Sequence, residues 1–438
     1  MEKGNTKMDV KLRKVSAVLV GAGNRGCVYC DFSLGEPERL EVLAVVEPDL
    51  IRLNEACDKY GIPKERRFTN LNDFLNAKIS CDIVVNATMD ELHYETSMAL
   101  IGAGYNMLLE KPVTPNAKQL LEIRDFAKEK GVLVFVCHVL RYTPFYKTIK
   151  TIIDSGEIGD VMAMELNEHV QVCHFLDSFI RGKWNSEAKC GSSFLLQKSC
   201  HDMDLICWLN NKSVPETVSS LGVRGRFNKE NMPKDATEFC YNCPHVDTCI
   251  YSAIKVHIER DEFPFQTWAN MGKHFSEVTK EEKYEYLKTH DYGRCAYNSG
   301  GDITDKQTVN VLFKNGSIAS FTMVGGTAMA DRNLHLVGTN GEIIGSITEG
   351  KIKVRTYNPK TFRHDERVVD INDLVVSNVK YGGHGGGDYA IMNEITAYLC
   401  GDRSSVSITS IEDSVNSHLV VFAAEKSRKE KVAVNINE

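Results

Sequence analysis

The chain has 438 residues, of which 42% are hydrophobic and 25% are charged. A chain of this length exceeds the usual size of one hydrophobic core, so we expect two domains and exclude a small barrel, a helical bundle and a disulfide-dense miniprotein. The 52 Lys and Arg residues against 59 Asp and Glu residues leave a net charge of −7. This balance argues against nucleic acid or an anionic membrane surface as a partner.

The start of the chain does not predict a secretory signal, because its basic stretch is followed by only about seven apolar residues before the first glycines. No apolar run approaches the roughly 20 residues that a membrane span requires. Most of the fourteen cysteines are scattered in apolar segments, where a free thiol behaves as a small hydrophobic side chain. We therefore expect a water-soluble protein of the cytoplasm with no membrane partner.

Short apolar runs alternate with stretches of helical periodicity in the first third of the chain. The runs have strand length and are rich in Val, Ile and Leu; they cover residues 15–20, 42–47, 82–87, 106–110 and 132–138. Helical stretches between them cover residues 50–61, 91–104 and 117–131. This alternation predicts a parallel, doubly wound sheet of the Rossmann type, formed by a domain of residues 1–138.

The pattern changes in residues 139–438, which we predict to form a second, α+β domain. Alternating apolar and polar residues, interrupted by Asn-Gly turns, predict a largely antiparallel sheet. A charged, cysteine-containing stretch at about 225–300 fits neither period and is predicted to be an insertion. Two amphipathic helices, at 388–401 and 410–429, complete this domain.

A glycine-rich sequence with GxGxxG spacing, residues 21–26, follows the first predicted strand and precedes a helix. Glycines in this context let the backbone approach a pyrophosphate. Glu47 closes the second strand, 21 residues after the last glycine, where a carboxylate accepts from ribose hydroxyls and repels a 2′-phosphate. NAD is therefore predicted over NADP, although Arg25 and Arg52 could favour NADP, and a tight turn that binds nothing is the alternative. The predicted contacts are Gly21, Gly23, Asn24, Arg25, Gly26, Glu47 and Arg52.

Several motifs in the same region resemble a known family. Glu110-Lys111-Pro112 matches the Glu-Lys-Pro signature of the glucose-fructose oxidoreductase, inositol dehydrogenase and MocA (Gfo/Idh/MocA) family. Residues 87–93 resemble its Ala-Thr-Pro-Asn-x-x-His loop, with Met and Asp in place of Pro and Asn, and residues 141–144 resemble its Arg-Phe/Tyr-x-Pro segment. A Gly-x-Ile-Gly turn follows at 156–159, so the resemblance extends from about residue 14 to residue 180.

The resemblance implies an oxidoreductase in which Lys111 touches both the nicotinamide ribose and the reacting hydroxyl. A cation in this position suits the chemistry, because hydride departure from a carbinol carbon requires loss of the hydroxyl proton. The resemblance also implies that the second-domain sheet pairs two chains, so we expect a homodimer or homotetramer. It adds further residues to the predicted cofactor contacts, namely Thr88, His93, Glu110, Lys111 and His138.

The family usually carries an Asp-x-Gly-x-His-x-x-Asp motif in its second domain, and residues 197–204 of this chain are similar to it. His201 and Asp204 align, whereas Gln197 takes the place of the first Asp. Because an amide cannot take a proton, we predict His201 as the base, with Lys111 or Lys198 as its electrostatic partner. The alternative is that His201 only forms hydrogen bonds within its helix.

Other polar and aromatic side chains could bind a substrate. The segment 179–185 offers an aromatic face and a bidentate donor, which suit a polyhydroxylated ring or a carboxylate, although ordinary loop packing explains it equally well. The glycine-rich segment 382–387 before Asp388 is predicted to be a linker or a lid. The predicted substrate contacts are Arg141, Tyr142, Arg181, Trp184, Gln197, Lys198 and Asp204.

A cysteine cluster lies in the predicted insertion. Cys240, Cys243 and Cys249 follow a C-x2-C-x5-C spacing, and Cys295 lies 46 residues later. In a cytoplasmic chain this pattern predicts a structural zinc site more often than a disulfide. His245 competes with Cys295 for the fourth ligand position, and an iron–sulfur cluster or free thiols are the alternatives.

Together these features predict an NAD-dependent oxidoreductase that transfers hydride between the nicotinamide and a carbinol carbon of a sugar, polyol or sugar acid. Gln197 motivates an alternative, an NAD-dependent glycosidase or lyase that oxidises its sugar only transiently. A non-catalytic NAD-binding regulator is a third possibility, against which Lys111 and His201 argue.

Overall fold

Residues 13–373 and 383–436 are described by a computed structural model, and their contacts divide the chain into two units. Unit 1 comprises Met1–Lys147 and Val375–Ser414, and unit 2 comprises Thr148–Leu374 and Val415–Glu438. The prediction about a secretory signal concerns mainly residues 1–12, and the prediction of a linker or lid at 382–387 includes residue 382. Both lie outside the described residues.

Helices separate most strands of unit 1, whereas several strands of unit 2 follow one another directly. The strands are β1 Val15–Val20, β2 Leu40–Val46, β3 Arg67–Phe68, β4 Ile83–Asn86, β5 Met107–Leu109, β6 Val134–Val136, β7 Val161–Gln171, β8 Pro215–Val223, β9 Lys306–Phe313, β10 Ile318–Thr327, β11 Asp331–Gly338, β12 Gly341–Ser346, β13 Lys351–Asn358, β14 Arg363–Asp370 and β15 Val434–Asn435. The helices are α1 Asn24–Cys30, α2 Phe32–Gly35, α3 Leu50–Tyr60, α4 Leu71–Ala77, α5 His93–Gly102, α6 Ala117–Lys130, α7 Pro144–Asp154, α8 Val172–Phe175, α9 Glu187–Cys190, α10 Phe194–Gln197, α11 Cys200–Leu209, α12 Pro264–Thr267, α13 Lys280–Leu287, α14 Gly387–Leu399 and α15 Ile411–Glu430.

Unit 1 contains a parallel sheet with the strand order β3-β2-β1-β4-β5-β6. The order reverses at β1, which pairs with β2 on one side and with β4 on the other, and this is the topology of a doubly wound domain. Local signals define the helices: Asp49 caps α3 by accepting from the backbone amides of Ile51 and Arg52, and Gly61 ends it in the left-handed conformation. The predicted Rossmann fold is confirmed.

The predicted division at residue 138 stays a prediction, and the contacts group one later part of the chain with the first unit. Helix α14, which the sequence assigns to the second domain, belongs to unit 1. Its apolar residues Ile391, Met392 and Ile395 are buried in the same hydrophobic core as Val15 and Leu19 of β1. The chain therefore returns to unit 1 after most of unit 2 has been completed.

Unit 2 contains a larger sheet with the order β14-β13-β12-β11-β7-β10-β9-β8-β15. Its pairs are antiparallel except for β7 with β10, which run parallel, so the predicted, largely antiparallel sheet is confirmed. β9 alternates buried and exposed residues along its whole length, as expected for a sheet with one covered face. The sequence pattern did not reveal β8 or the mostly exposed, charged β14.

The region predicted as an insertion has little regular structure. Between residues 225 and 300, helical turns of three to six residues surround α12 and α13. A small core formed by Ile254, Trp268, Val278, Leu287 and Tyr292 lies within it. No helix in the described part of the chain is both long enough and apolar enough to cross a membrane.

Candidate functional site

The three glycines of the loop after β1 are not all required for the same structural reason. A Cβ atom on Gly21, whose φ is +88°, would lie 2.6 Å from the Ala87 carbonyl oxygen, and one on Gly26 would lie 2.3 Å from the Gly21 carbonyl oxygen. A Cβ on Gly23 would meet nothing within 4 Å. Close packing therefore requires glycine at the two outer positions. The middle glycine faces open space, and in dinucleotide-binding folds the pyrophosphate approaches the backbone at this point of the loop.

Glu47, at the end of β2, is joined to this loop. Its Oε2 accepts from the backbone N–H of Ala22 at 2.8 Å, and its Oε1 accepts from that of Asp49 at 3.0 Å. Arg52 lies at 4.0 Å from Oε1. Because each carboxylate oxygen can accept more than one hydrogen bond, these backbone contacts leave acceptor capacity for ribose hydroxyls. The residues present therefore fit NAD.

Arg25 of the glycine loop connects two carboxylates of unit 1. Its Nε lies 2.9 Å from Glu110 and its Nη2 lies 2.7 Å from Asp388. The Tyr29 hydroxyl, one helical turn further along, donates to Glu110 at 2.8 Å. Burial alone would raise the pKa of Glu110, but the charges of Arg25 and Lys111 hold it below its ordinary value. Glu110 is thus an ionised partner of Arg25 at neutral pH.

Asp388, the second residue of α14, is the other end of this connection. Its carboxylate also accepts from the backbone N–H of Gly383 at 2.8 Å and lies 3.1 Å from His384. Burial would raise its pKa, but the hydrogen bonds from His384 and Arg25 hold it far below the usual range. The described part of the glycine-rich segment before α14 is therefore tied to the glycine loop through Asp388 and Arg25.

The other predicted cofactor residues of unit 1 follow the carboxyl ends of three neighbouring strands. Thr88 follows β4, Glu110 and Lys111 follow β5, and the buried His138 follows β6. His93 joins two of these segments, because its ring nitrogens lie 2.7 Å from the Pro112 carbonyl oxygen and 3.0 Å from that of Thr88. Lys111 is half-buried, and the peptide bond to Pro112 is cis. Ligands of open α/β folds bind at this edge.

In unit 2, the predicted catalytic motif lies on α10, α11 and the turn between them. The Gln197 amide nitrogen donates to the Ser192 carbonyl oxygen at 2.8 Å, so the amide is held by the backbone. His201 and Asp204 are buried on α11. Lys198 is half-buried, and its ammonium lies 3.7 Å from the carboxylate of Glu168 on β7.

Glu168 belongs to a buried cluster that the motifs of the sequence did not indicate. Arg332 of β11 contacts both Glu168 and Asp202, its Nε lying 2.8 Å from Asp202, and the Ser199 hydroxyl donates to Glu168 at 2.6 Å. The alternation of the sequence could have indicated this cluster. Glu168 lies on the buried face of β7 with Leu166 and Val170, where an apolar residue is expected. An acidic residue there indicates a buried partner.

The two carboxylates of this cluster have opposite pKa shifts. Burial raises the pKa of Asp202 to about 8, assisted by the charge of Glu168 and opposed by Arg332. Burial acts in the same direction on Glu168, but Arg332 and Lys198 outweigh it and lower the pKa to about 2. Near neutral pH the pair therefore holds one proton, on Asp202, beside the segment that carries His201.

Besides Gln197 and Asp204, three more of the predicted substrate residues are buried. Tyr142 is buried in the core of unit 1, and its hydroxyl accepts from the Thr409 backbone N–H at 3.3 Å. Arg141 is also buried. Arg181 is buried in unit 2, where it donates to the backbone carbonyls of Arg294 and Tyr251. The polar groups of Tyr142 and Arg181 are engaged by the fold, and their assignment to the substrate stays a prediction. Trp184 is half-buried against Phe179.

The fold of unit 1 and its glycine loop define a dinucleotide-binding domain, and comparison with known proteins agrees. The sequence profile of the Gfo/Idh/MocA oxidoreductase family, for its NAD-binding Rossmann fold, matches residues 15–138, and that of the family's C-terminal alpha/beta domain matches residues 150–436. The chain belongs to this oxidoreductase family.

Individual relatives are distant. An oxidoreductase of Bacillus subtilis named YteT is 24% identical over 326 residues, which cover 72% of each chain. Inositol 2-dehydrogenase of Corynebacterium glutamicum is 25% identical over 197 residues, covering 45% of this chain and 54% of the relative. The structure of levoglucosan dehydrogenase with NADH and levoglucosan matches 97% of this chain and 100% of its own, with a TM-score of 0.69 and 16% identity. These values show a shared fold.

The shared proton of the Glu168–Asp202 pair predicts a pH-dependent stability. Because the pKa of Asp202 is about 8 in the folded chain and near 4 when unfolded, the folded state binds one more proton between these values. The free energy of unfolding should therefore fall as pH rises from about 4 to about 8, by at most about 1.4 kcal/mol per pH unit. Asp202→Asn, which imitates the protonated carboxyl, should remove this slope.

Glu168→Gln should also flatten the slope, because it removes the negative charge that helps to keep Asp202 protonated. Glu165→Gln, an exposed position on the same strand, is the matched control and should keep the wild-type slope. Urea unfolding at a series of pH values measures all four proteins. A wild-type profile that matches Asp202→Asn between pH 4 and pH 8 would contradict the shared proton.

Proposed function

We propose that the chain is an NAD-dependent oxidoreductase that transfers hydride between NAD and a carbinol carbon of a sugar, polyol or sugar acid. The observation that supports this most directly is the Glu110–Arg25 ion pair. It attaches the turn that carries Lys111 to the glycine loop, so the residues for pyrophosphate binding and for the reacting oxygen lie in one rigid frame. Relatives named as inositol and levoglucosan dehydrogenases support the substrate class.

The proposed chemistry assigns Lys111 to the reacting oxygen. When a carbinol carbon loses hydride, its oxygen must lose a proton and passes through alkoxide character, which an ammonium group stabilises. The Lys111 backbone is anchored, since its N–H donates to the Glu110 carboxylate. NAD, when bound, supplies the carbon that accepts the hydride.

His201 is proposed as the group that accepts the hydroxyl proton. Its imidazole is the side chain of the 197–204 motif whose ordinary pKa lies near neutral pH. Gln197 cannot replace it, because an amide takes no proton; its amide is fixed by Ser192 and can orient substrate or water. Lys198 contributes positive charge on the same segment, and Asp204 lies one turn after His201 on α11.

The side chains around the glycine loop favour NAD over NADP. Arg25, which the sequence suggested as a partner for a 2′-phosphate, is engaged by Glu110 and Asp388. Glu47 offers a carboxylate at the end of β2, which would face that phosphate. Arg52 is exposed and lies near Glu47 and Asp49, so it is the remaining cation that could favour NADP.

The expected homodimer or homotetramer stays a proposal, and one feature of unit 2 supports it. Large apolar side chains are exposed on neighbouring strands of the nine-stranded sheet, and exposed apolar patches mark interaction surfaces. They are Met162 of β7, Leu221 and Val223 of β8, Leu312 of β9 and Ile318 of β10.

Glu47→Gln tests the choice of cofactor. The wild-type chain should bind NAD more tightly than NADP in calorimetry, because the carboxylate repels the 2′-phosphate. Glutamine keeps one acceptor oxygen but no charge, so NADP affinity should rise by about tenfold while NAD affinity changes less. Glu41→Gln, exposed on the same strand, should change neither affinity. Equal wild-type affinities for NAD and NADP would contradict the assignment of Glu47.

Lys111→Met tests the role of the ammonium group. The variant should still bind NAD, but kcat should fall by about 10²-fold or more, equivalent to about 2.7 kcal/mol, because the alkoxide character loses its stabilising charge. Lys118→Met, whose side chain is 86% exposed on α6, is the control and should retain kcat. An unchanged kcat in Lys111→Met would remove this residue from the mechanism.

The alternative function, transient oxidation followed by elimination, is favoured by the presence of Gln197 in place of an acid. The two reactions differ in their proton chemistry. Net oxidation should accumulate NADH, and kcat/KM should rise with pH through a value near that of an imidazole, because only neutral His201 accepts a proton. His201→Ala should flatten this limb, and Gln197→Asp should move it to higher pH because a carboxylate favours the protonated ring.

Transient oxidation should instead exchange a substrate C–H for deuterium from solvent and leave NADH absorbance unchanged. A panel of sugars, polyols and sugar acids in D₂O, followed by NMR and absorbance in parallel, separates the two reactions. Exchange without NADH would replace the first function by the second.

A further inference from the structure

The four cysteines of the insertion line one small cavity in unit 2. Cys240, Cys243, Cys249 and Cys295 all contribute to its wall. The cavity is small, with room for one ion or one water molecule. All four cysteines are free thiols. Four potential thiolate ligands therefore surround a space of the size of a single ion.

The backbone brings these cysteines together from three segments. Cys240 and Cys243 lie in a tight turn, in which the Cys243 N–H donates to the Cys240 carbonyl at 3.2 Å. The Cys249 N–H donates to the His245 carbonyl at 2.8 Å. The Cys295 N–H donates to the Glu238 carbonyl at 2.8 Å, which attaches the distant fourth cysteine beside the first.

A buried cation lies against the cluster. The Arg181 guanidinium is only 2% exposed, and its Nη2 lies 3.9 Å from the Cys240 sulfur. Its other acceptors are the neutral carbonyls of Arg294 and Tyr251. Asp177, four residues earlier, contacts Thr267 and His257 instead. A buried guanidinium keeps its proton, so negative charge beside it is stabilising.

We propose that these four cysteines bind one structural Zn²⁺ ion. Binding converts four thiols to thiolates and releases four protons, with no change of oxidation state. The resulting site carries a net charge of −2, which provides the counter-charge for Arg181. Among residues 13–373 and 383–436, no three His, Cys, Asp or Glu side chains are already arranged to coordinate a metal ion. The thiols would therefore rotate about their Cα–Cβ bonds toward the ion when it binds.

The same observations choose among the alternatives that the sequence left open. The half-buried His245 also borders the cavity, but its Nε2 lies 2.9 Å from the Lys234 carbonyl oxygen, so we take Cys295 as the fourth ligand. An iron–sulfur cluster contains several iron and sulfide atoms, so iron and acid-labile sulfide distinguish it from a single zinc ion. A metal held by four protein ligands has no open position for a substrate, and its role is to stabilise an insertion with little core of its own.

Elemental analysis of the full chain, purified with reducing agent and without chelator, tests the proposal. We expect one zinc per chain and no acid-labile sulfide, and a mercurial reagent should release the zinc as four thiols react. Chain stripped of metal and then titrated with Zn²⁺ alone should take up one equivalent. Failure to bind Zn²⁺ in this titration, or iron together with sulfide in the purified chain, would overturn the proposal.

Variants identify the ligands without relying on activity. Cys249→Ser should lose the zinc, whereas Cys249→His, which supplies another zinc ligand, should retain it. His245→Ala and Cys81→Ser, a half-buried cysteine of unit 1, are controls that should keep one zinc per chain. Zinc retained by Cys249→Ser, or lost from His245→Ala, would overturn the ligand set.

Hydrogen exchange provides a second measurement that does not depend on yield. Removal of zinc should reduce protection in residues 225–300 and leave unit 1 and its NAD affinity unchanged. Arg181→Met should weaken zinc binding by about 10- to 100-fold, as loss of an outer contact to a metal ligand does, and Arg181→Lys should weaken it less. Protection in the insertion that is the same with and without zinc would contradict a structural role.

Discussion

The ion pairs of Arg25 are the interaction on which the candidate cofactor site of unit 1 depends. Arg25 leaves the glycine loop and connects Glu110, which precedes Lys111, with Asp388 of α14. Both carboxylates are almost fully buried, where a charge is tolerated only with a partner and with further hydrogen bonds. Tyr29, Gly383 and His384 supply those bonds. Removing the guanidinium would take away the cation that both buried carboxylates share, and three segments far apart in sequence would lose their common anchor.

Unit 2 also contains two buried carboxylates, but they are stabilised in a different way. There Arg332 also lies between two buried carboxylates, but Lys198 is the second cation, and one carboxylate, Asp202, keeps its proton at neutral pH. The protonated state avoids two adjacent negative charges in a region that water does not reach. Asp202 and Lys198 flank His201 in sequence, so this balance sets the electrostatic surroundings of the segment to which we assign the base.

The insertion of unit 2 is stabilised by other means. Its small core around Trp268 and its short helical turns would bury little apolar surface for some seventy residues, and small cores commonly require a metal or a covalent link. Arg181 connects this region to the rest of unit 2 through carbonyls on two sides of the cysteine cluster. A residue that the sequence suggested for substrate binding thus belongs to the architecture of the insertion.

The local sequence determined the elements whose signals lie within a few residues. The apolar runs, the cap at Asp49 and the left-handed glycine at 61 define strands and helices of unit 1 close to their observed bounds, and the GxGxxG and Glu-Lys-Pro motifs place the candidate site at one edge of the sheet. Tertiary structure alone decided that α14 belongs to unit 1, that Asp388 and Tyr29 complete the Arg25 cluster, and that Arg332 joins Glu168 to Asp202. The physical reason is that a buried charge requires a partner but does not specify its position in the chain, so partners 363 residues apart leave no pattern in the sequence between them.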